Sequence, residues 1–592
     1  MTGTGHVSAR SRALMPLVVA LFLVLSSCTL ASPGPAFDTG APNASDTGGA
    51  ATSGTANARE VSSLDARRLT PRAELADGGS LTLPLVEFPA RWNLLHDDGA
   101  TTDAGLILSA TDPVLYDYDP QGTITPRPEF LTAMPALTRR DGRDVVTYDL
   151  NPQAVWNDGT PIDYRAFRAV WQVSREGVRR GGYRPVSSAG YEDIESVEAG
   201  ANPHQVVVTF RAGRTFHPVT DLFVTLLHPA AASVATFNDG FSGDAFHPEW
   251  RAGPFTLESL DTTTKTITLE RNPRWWGRAP RLSQISFREM TDSASLPAFT
   301  NGEIDATRID THARYVQVQQ APDLDVRASR RLQTTVLEFN TDDPALSDIA
   351  VRKALWQAID REQWNRVRYE GMNWTEGAVN SLVYFPFQPQ ARDNMPVTHD
   401  PAAARATLAA AGYTRGPDGV FARDGRRVSV RYTGFGDDPM GNALAQTLRT
   451  QAAAAGIEAQ VTILPSSAFQ QVTRSRDFGI LIMSLAANSP SPVSTVCQAM
   501  CSTHPFNITG AGSAALDARI RGLGSIADPD AQAEQINAVE KDWLTLYGLM
   551  PLANGPDIWA YHRGLANLGP AAFASIHPHW EDVGWTIESG RA

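Results

Sequence analysis

Residues 478–483 read FGILIM, almost unbroken apolar sequence. A run this short cannot cross a bilayer as a helix. As a strand it has no polar side to turn to water, so it belongs in a sheet covered on both faces. The sequence before it supplies the cover: residues 428–432 alternate as a strand, 442–455 carry a helical pattern closed by Gly456, and 457–464 return as a strand. Strand, helix and strand in that order form a βαβ unit with a parallel pair. The fold class is therefore α/β.

The chain has 592 residues, 42% of them hydrophobic, enough for more than one core. Its first half is rich in strands. Leu81, Leu83 and Leu85 alternate with polar or turn residues, and QVVVTF at 205–210, TITLE at 266–270 and QISFR at 284–288 are β-branched or aromatic runs bounded by turn residues. In the second half, Asp400 and Pro401 open an Ala- and Leu-rich helix to residue 411, and Gly412 supplies its left-handed stop. A formal charge of −13 argues against a nucleic-acid partner, which needs clustered cations to displace counterions.

At the N-terminus, Arg10 and Arg12 precede an apolar stretch over 13–25, the layout of a secretory signal. It ends in Leu25, Ser26, Ser27 and Cys28, which resembles the bacterial lipobox. That resemblance implies removal of 1–27 and acylation of Cys28, placing the chain on the extracytoplasmic face of the cell membrane, held at about 0.8 kcal/mol per buried CH₂. Residues 28–76 are rich in Ala, Ser, Thr, Gly, Pro and Asp, the composition of a flexible tether.

Signals for catalysis are missing from the sequence: it holds no G-x-S-x-G, H-E-x-x-H or G-x-x-x-x-G-K-[ST]. His577 and His579 in HPHW could hold a metal, but no further ligands stand at a recognisable spacing, so neither metal nor cofactor is expected. Cys497 and Cys501, four positions apart on an exported chain, are candidates for a disulfide.

Several segments together resemble one family. VTYDLNPQAVWNDGTPIDYRAFRAVW at 146–171 joins a strand, a turn and a helix capped by Asp163. GPFTLESL and TITLERNPRWWG follow from Gly253, and NGEIDA spans 301–306. LEFNTDDPALSDIAVRKALWQAIDRE lies at 337–362, HDPAAARATLAAAGY at 399–413 and PLANGPDIWAYH at 551–562. This set is similar to the family 5 extracellular solute-binding proteins, which include oligopeptide- and dipeptide-binding proteins.

The resemblance implies a two-lobed, periplasmic-binding-protein-like fold of the large cluster C type. Residues 77–338 would form lobe I with an extra subdomain at about 95–200, 339–550 lobe II, and 551–592 a return to lobe I. A hinge would cross near 339–341 and 551. It further implies a monomer with no chemistry of its own that captures a peptide or peptide-like solute between the lobes and passes it to an ABC permease and its ATPase subunits. The alternatives are a glycoside- or envelope-glycolipid-binding relative and, from another class, a secreted hydrolase on the same scaffold.

Peptide-binding members place a carboxylate just after a buried strand of the second lobe, where it pairs with the ligand's ammonium. Aligned from Phe478, this sequence has Leu485 where many members have Trp, and Asn488, after Ala487, where peptide binders have Asp. An Asn cannot neutralise a buried ammonium. Asp477 or Glu338 could restore the charge from elsewhere. Further cleft candidates are Phe88, Asn93, Gly253, Phe255 and Asn340, with a core role open for Phe88 and Phe255.

Overall fold

The structure, a computed structural model, describes residues 63–591 apart from 176–181, 189, 215, 437–438, 466–467, 487–491, 503, 505–506 and 573–575. Cys28, the signal and most of the tether lie outside the described residues, as do Ala487 and Asn488. No helix of the described residues is long and apolar enough to cross a membrane.

The FGILIM run folds as the strand Ile480–Ala486, and its environment explains its composition. It runs parallel to Ser429–Phe435 on one side and antiparallel to Leu324–Phe339 on the other, and Ile480 and Leu481 are fully buried. Ser429–Phe435 pairs in parallel with Glu458–Leu464 through the crossover helix Pro439–Ala454, which Gly456 ends at a φ of 77°. The sheet is completed by Leu549–His562 and Ala306–Arg308 beyond Leu324–Phe339. The helix at Pro401–Ala410 starts where Asp400 accepts from the amides of Ala402 and Ala403, and Gly412 follows it at a φ of 85°.

A second body packs around a four-stranded sheet in the order Ser80–Leu85, Gln284–Glu289, Thr266–Arg271, Phe255–Asp261. The alternation of Leu81, Leu83 and Leu85 has its expected result, since all three point into the core. The same core takes in an antiparallel sheet of Ala136–Arg140, Arg143–Asp149, Gln205–Phe210 and Ile194–Ala199. The helix Tyr164–Ser174, whose cap Asp163 accepts from the Arg165 amide, lays Phe167, Val170 and Val173 into that core. This sheet extends past residue 200, because Gln205–Phe210 is one of its two inner strands, beside Arg143–Asp149.

Two long strands join the bodies. The outward strand, Leu324–Phe339, has 16 residues and the return strand, Leu549–His562, has 14. At about 3.3 Å per residue the outward strand spans on the order of 50 Å, long enough to serve two cores. Leu332 packs in the first core and Val336 in the second. Between them the ladder breaks: Arg330 pairs with Pro556 and Thr334 with Asn554, so three residues of one strand face one of the other. Inside the break the Leu332 amide donates to the Ala572 carbonyl, at 3.0 Å.

The ladder breaks at Arg330–Thr334 against Asn554–Pro556, several residues before the 339–341 and 551 expected for the hinge, and side chains on both sides of the break, Ala328 and Val336 among them, pack against the second core. The polar start of NTDD marks the end of the strand inside the second lobe, not its passage between lobes. The first described residues are sewn to the same place. Ser63 accepts from the Arg330 amide at 2.7 Å, Asp65 bridges Ala571, and the Ala66 amide donates to Pro570.

Candidate functional site

A cavity of about 1170 Å³ lies between the lobes. It is somewhat larger than the roughly 300–1,000 Å³ typical of small-ligand sites. Its floor is the crossing itself, with Arg331 from the outward strand, Asp557, Trp559 and Tyr561 from the return strand, and Arg308 from the short strand beside it. The first body contributes an apolar wall of Leu85, Leu106 and Leu108 and a polar one of Glu192, Asp193 and Asp221. The second body contributes Val493, Cys497, His504, Ile520 and Arg521.

The lobes also touch directly at the rim. The His217 amide donates to the Gly524 carbonyl at 3.2 Å, and a β-carbon at Gly524 would sit 3.5 Å from the Phe216 ring. A small residue on lobe II lets the first body's loop rest on it.

The break in the ladder positions the floor. An irregular step in a strand pair bends it and re-aims a side chain. Arg331 falls within this step, unpaired in the ladder, and lines the cavity. Its Nη1 lies 4.0 Å from Asp557 Oδ2, and Arg308 Nε lies 3.6 Å from Asp557 Oδ1. The hydrogen bond to Asp557 comes instead from the Trp559 indole, at 3.1 Å. Loss of water pulls the Arg331 pKa below its ordinary value, with Asp557 opposing and Arg308 adding to the shift.

Other titratable groups facing the cavity have identifiable causes for their shifts. Burial pushes the Glu192 carboxyl up, reinforced by Asp193 and opposed by Arg214 and by Arg521 across the cavity. Burial holds His504 and His577 at about 4, so both are neutral near pH 7. Asp112 at the wall is held by Arg251, which donates to both its oxygens at 2.8 and 2.9 Å.

Most of the sequence candidates lie elsewhere. Phe255 is fully buried in the first core, and Phe88 packs edge-on against Trp92 at 5.6 Å, so the core reading holds for both. Gly253 is a packing glycine whose amide donates to Thr111, at 2.7 Å. Asn93 is 5% exposed beside a small void of about 20 Å³ and is not part of the cavity lining. Asn340 is a strut of the second lobe: its Nδ2 donates to the carbonyls of Arg476 and Phe478 at 2.8 and 2.9 Å.

Neither substitute carboxylate reaches the cavity, since Asp477 is 74% exposed and paired with Arg431, while Glu338 is buried within the second lobe. Among the described lobe II residues that line the cavity, none is acidic. Cys497 and Cys501 are joined as a disulfide across one helical turn, with Cα atoms 4.6 Å apart, and Cys497 faces the cavity.

The two histidines of HPHW do not converge. His577 lines the cavity, while His579 stands 3.5 Å from Asp117 and 3.6 Å from Glu581. A cluster of His96, Asp97 and Asp98 has metal-like spacing. Arg184 lies 3.0 and 2.9 Å from those two carboxylates and takes the place a cation would hold.

Sequence reasoning passed over Arg308, Arg331 and Asp557. The available signals were the Arg330–Arg331 pair interrupting a strand and the lone acid in PLANGPDIWAYH.

Two α/β bodies, a pair of crossing strands and a cavity closed between them define a bilobal binding protein. The chain matches the model described as bacterial extracellular solute-binding proteins, family 5 Middle, over residues 131–507, and it belongs to that family. It is 31% identical over 513 residues to the oligopeptide-binding protein OppA of Mycobacterium tuberculosis strain H37Rv, covering 85% of this chain and 84% of the relative.

Among solved structures it resembles the periplasmic EDTA-binding protein EppA, with a TM-score of 0.79 and 21% identity over 90% of this chain and all of that one (100%). It also resembles the oligopeptide-binding protein AppA of Bacillus subtilis in complex with a nonapeptide, with a TM-score of 0.71 and 17% identity over 87% of this chain and 100% of that one. Proteins of this family are extracytoplasmic binding components of ABC importers, not enzymes.

Proposed function

We propose that this protein captures peptides or peptide-like solutes between its lobes and presents them to an ABC permease while anchored to the membrane through an acylated Cys28. The observation that carries the reading is the cavity of about 1170 Å³ whose walls come from both bodies and whose floor is the crossing strands. A ligand there touches both lobes at once and so favours the closed arrangement over an open one, which gives a permease a shape to read. The relative that matches across most of the chain is named an oligopeptide-binding protein, which supports the peptide class.

The test is a thermal-shift screen of the protein against pooled short peptides and pooled glycosides. A ligand present at 100 times its Kd stabilises the folded state by about 2.7 kcal/mol. Stabilisation by peptide pools and not by glycosides supports the proposal, and the reverse assigns the cavity to a sugar.

A further inference from the structure

We infer that Arg308 and Arg331 form a receptor for an anionic group, a carboxylate of the captured solute, at the floor of the cavity. The inference rests on the peptide-capture reading and specifies what the solute must carry.

The argument begins with charge. Arg308 and Arg331 bring two guanidinium groups to the crossing, and one carboxylate, Asp557, lies between them. The cluster carries an excess positive charge. Its side chains are 43%, 22% and 12% exposed for Arg308, Arg331 and Asp557, so bulk water screens it only in part.

The geometry adds a second point. At 3.6 and 4.0 Å neither arginine is within hydrogen-bond reach of Asp557. The Asp557 oxygen nearer Arg308 is already occupied by the Trp559 indole. Each guanidinium offers five N–H donors in a fixed fork, matched to the two oxygens of a carboxylate. A half-buried cation without a hydrogen-bonded counter-ion is costly, and a ligand anion removes that cost when it arrives.

The local fold places these donors deliberately. Arg331 sits within the step where the two long strands lose register, and Arg308 comes from the neighbouring strand opposite Trp559. The arginines Arg251 and Arg184, on the first body, are by contrast committed to Asp112 and to Asp97 and Asp98. The acids Glu192, Asp193 and Asp221 stand on the first body's insert and not at the floor.

The experiment compares two pools of tetrapeptides with free N-termini, identical except that one ends in carboxylates and the other in carboxamides. Both are titrated into the full chain and into Arg331→Met and Arg308→Gln, with circular dichroism confirming that each variant is folded. The carboxylate pool is expected to bind wild type about tenfold or more tightly than the amide pool, the ratio for losing a charge-assisted bond pair. Each variant is expected to shrink that ratio toward one, and either suffices if the other does not fold. An equal, measurable response of wild type to both pools overturns the anion receptor and leaves peptide capture standing. A response to neither pool overturns both, and a preference for carboxylates that survives in the variants places the anion elsewhere and overturns the assignment.

Discussion

Glu338 offers a sharp quantitative test of how this chain manages its interior. It lies on the outward strand between Leu481 and Leu549, is 3% exposed, and has no cation within ion-pair distance among the described residues. Burial alone raises its pKa from 4.5 to about 8. The folded state therefore keeps this proton where the unfolded chain has lost it. The stability this gives is fully present below the unfolded pKa and is lost as pH rises toward the folded one.

From 4.5 to pH 7.5 is roughly three units at about 1.36 kcal/mol each, a loss of about 4 kcal/mol. Glu338→Gln keeps the shape of the protonated acid and does not titrate. Urea unfolding at pH 5 and pH 7.5, followed by tryptophan fluorescence, should show the variant more stable than wild type by under about 1 kcal/mol at the lower pH. The gap should widen by about 3 kcal/mol at the higher pH. A gap that stays constant between the two pH values would mean that Glu338 is ionised in the folded protein, and the reasoning would fail.

Asp112→Asn leaves Arg251 buried without its counter-ion and is expected to cost about 3–5 kcal/mol in urea unfolding, with Asp112→Asn/Arg251→Met recovering much of it. Gly253→Ala would put a β-carbon 2.5 Å from the Ala110 carbonyl oxygen, and a loss of about 1–3 kcal/mol is expected in thermal melts. Cys28→Ala should move the protein from the membrane to the soluble fraction with peptide affinity unchanged; a variant that still sediments with membranes contradicts the anchor.

Where the chain's local pattern also decides its long-range place, the sequence was readable. FGILIM has no polar side to turn to water, and Phe478, Ile480 and Leu481 are buried while Ile482 and Met483 are half-buried; the caps at Asp163 and Asp400 act where the residue types put them. The family motifs carried the fold because Trp156, Phe167 and Trp356 are core residues whose packing demands those side chains.

The site was far less legible. Its floor joins residues 308, 331 and 557, brought together by strand register, and Arg331 faces the cavity only because the ladder slips there. A slip of this kind depends on two distant strands and leaves no periodic mark on either. Asn340 misled for the complementary reason: a polar residue at a strand end looks available, yet its amide is spent on the carbonyls of Arg476 and Phe478.

The stitching of the first described residues onto the crossing has a mechanical side. Ser63 and Asp65 are fastened to Arg330 and Ala571, beside the break in the long strand pair. A leash running upstream from Ser63 to a membrane would deliver its pull on the strands that join the bodies, where force has little lever arm on opening or closing. Thermal tugging along such a leash would leave the jaws unbiased, and both would remain free to swing while the base is held.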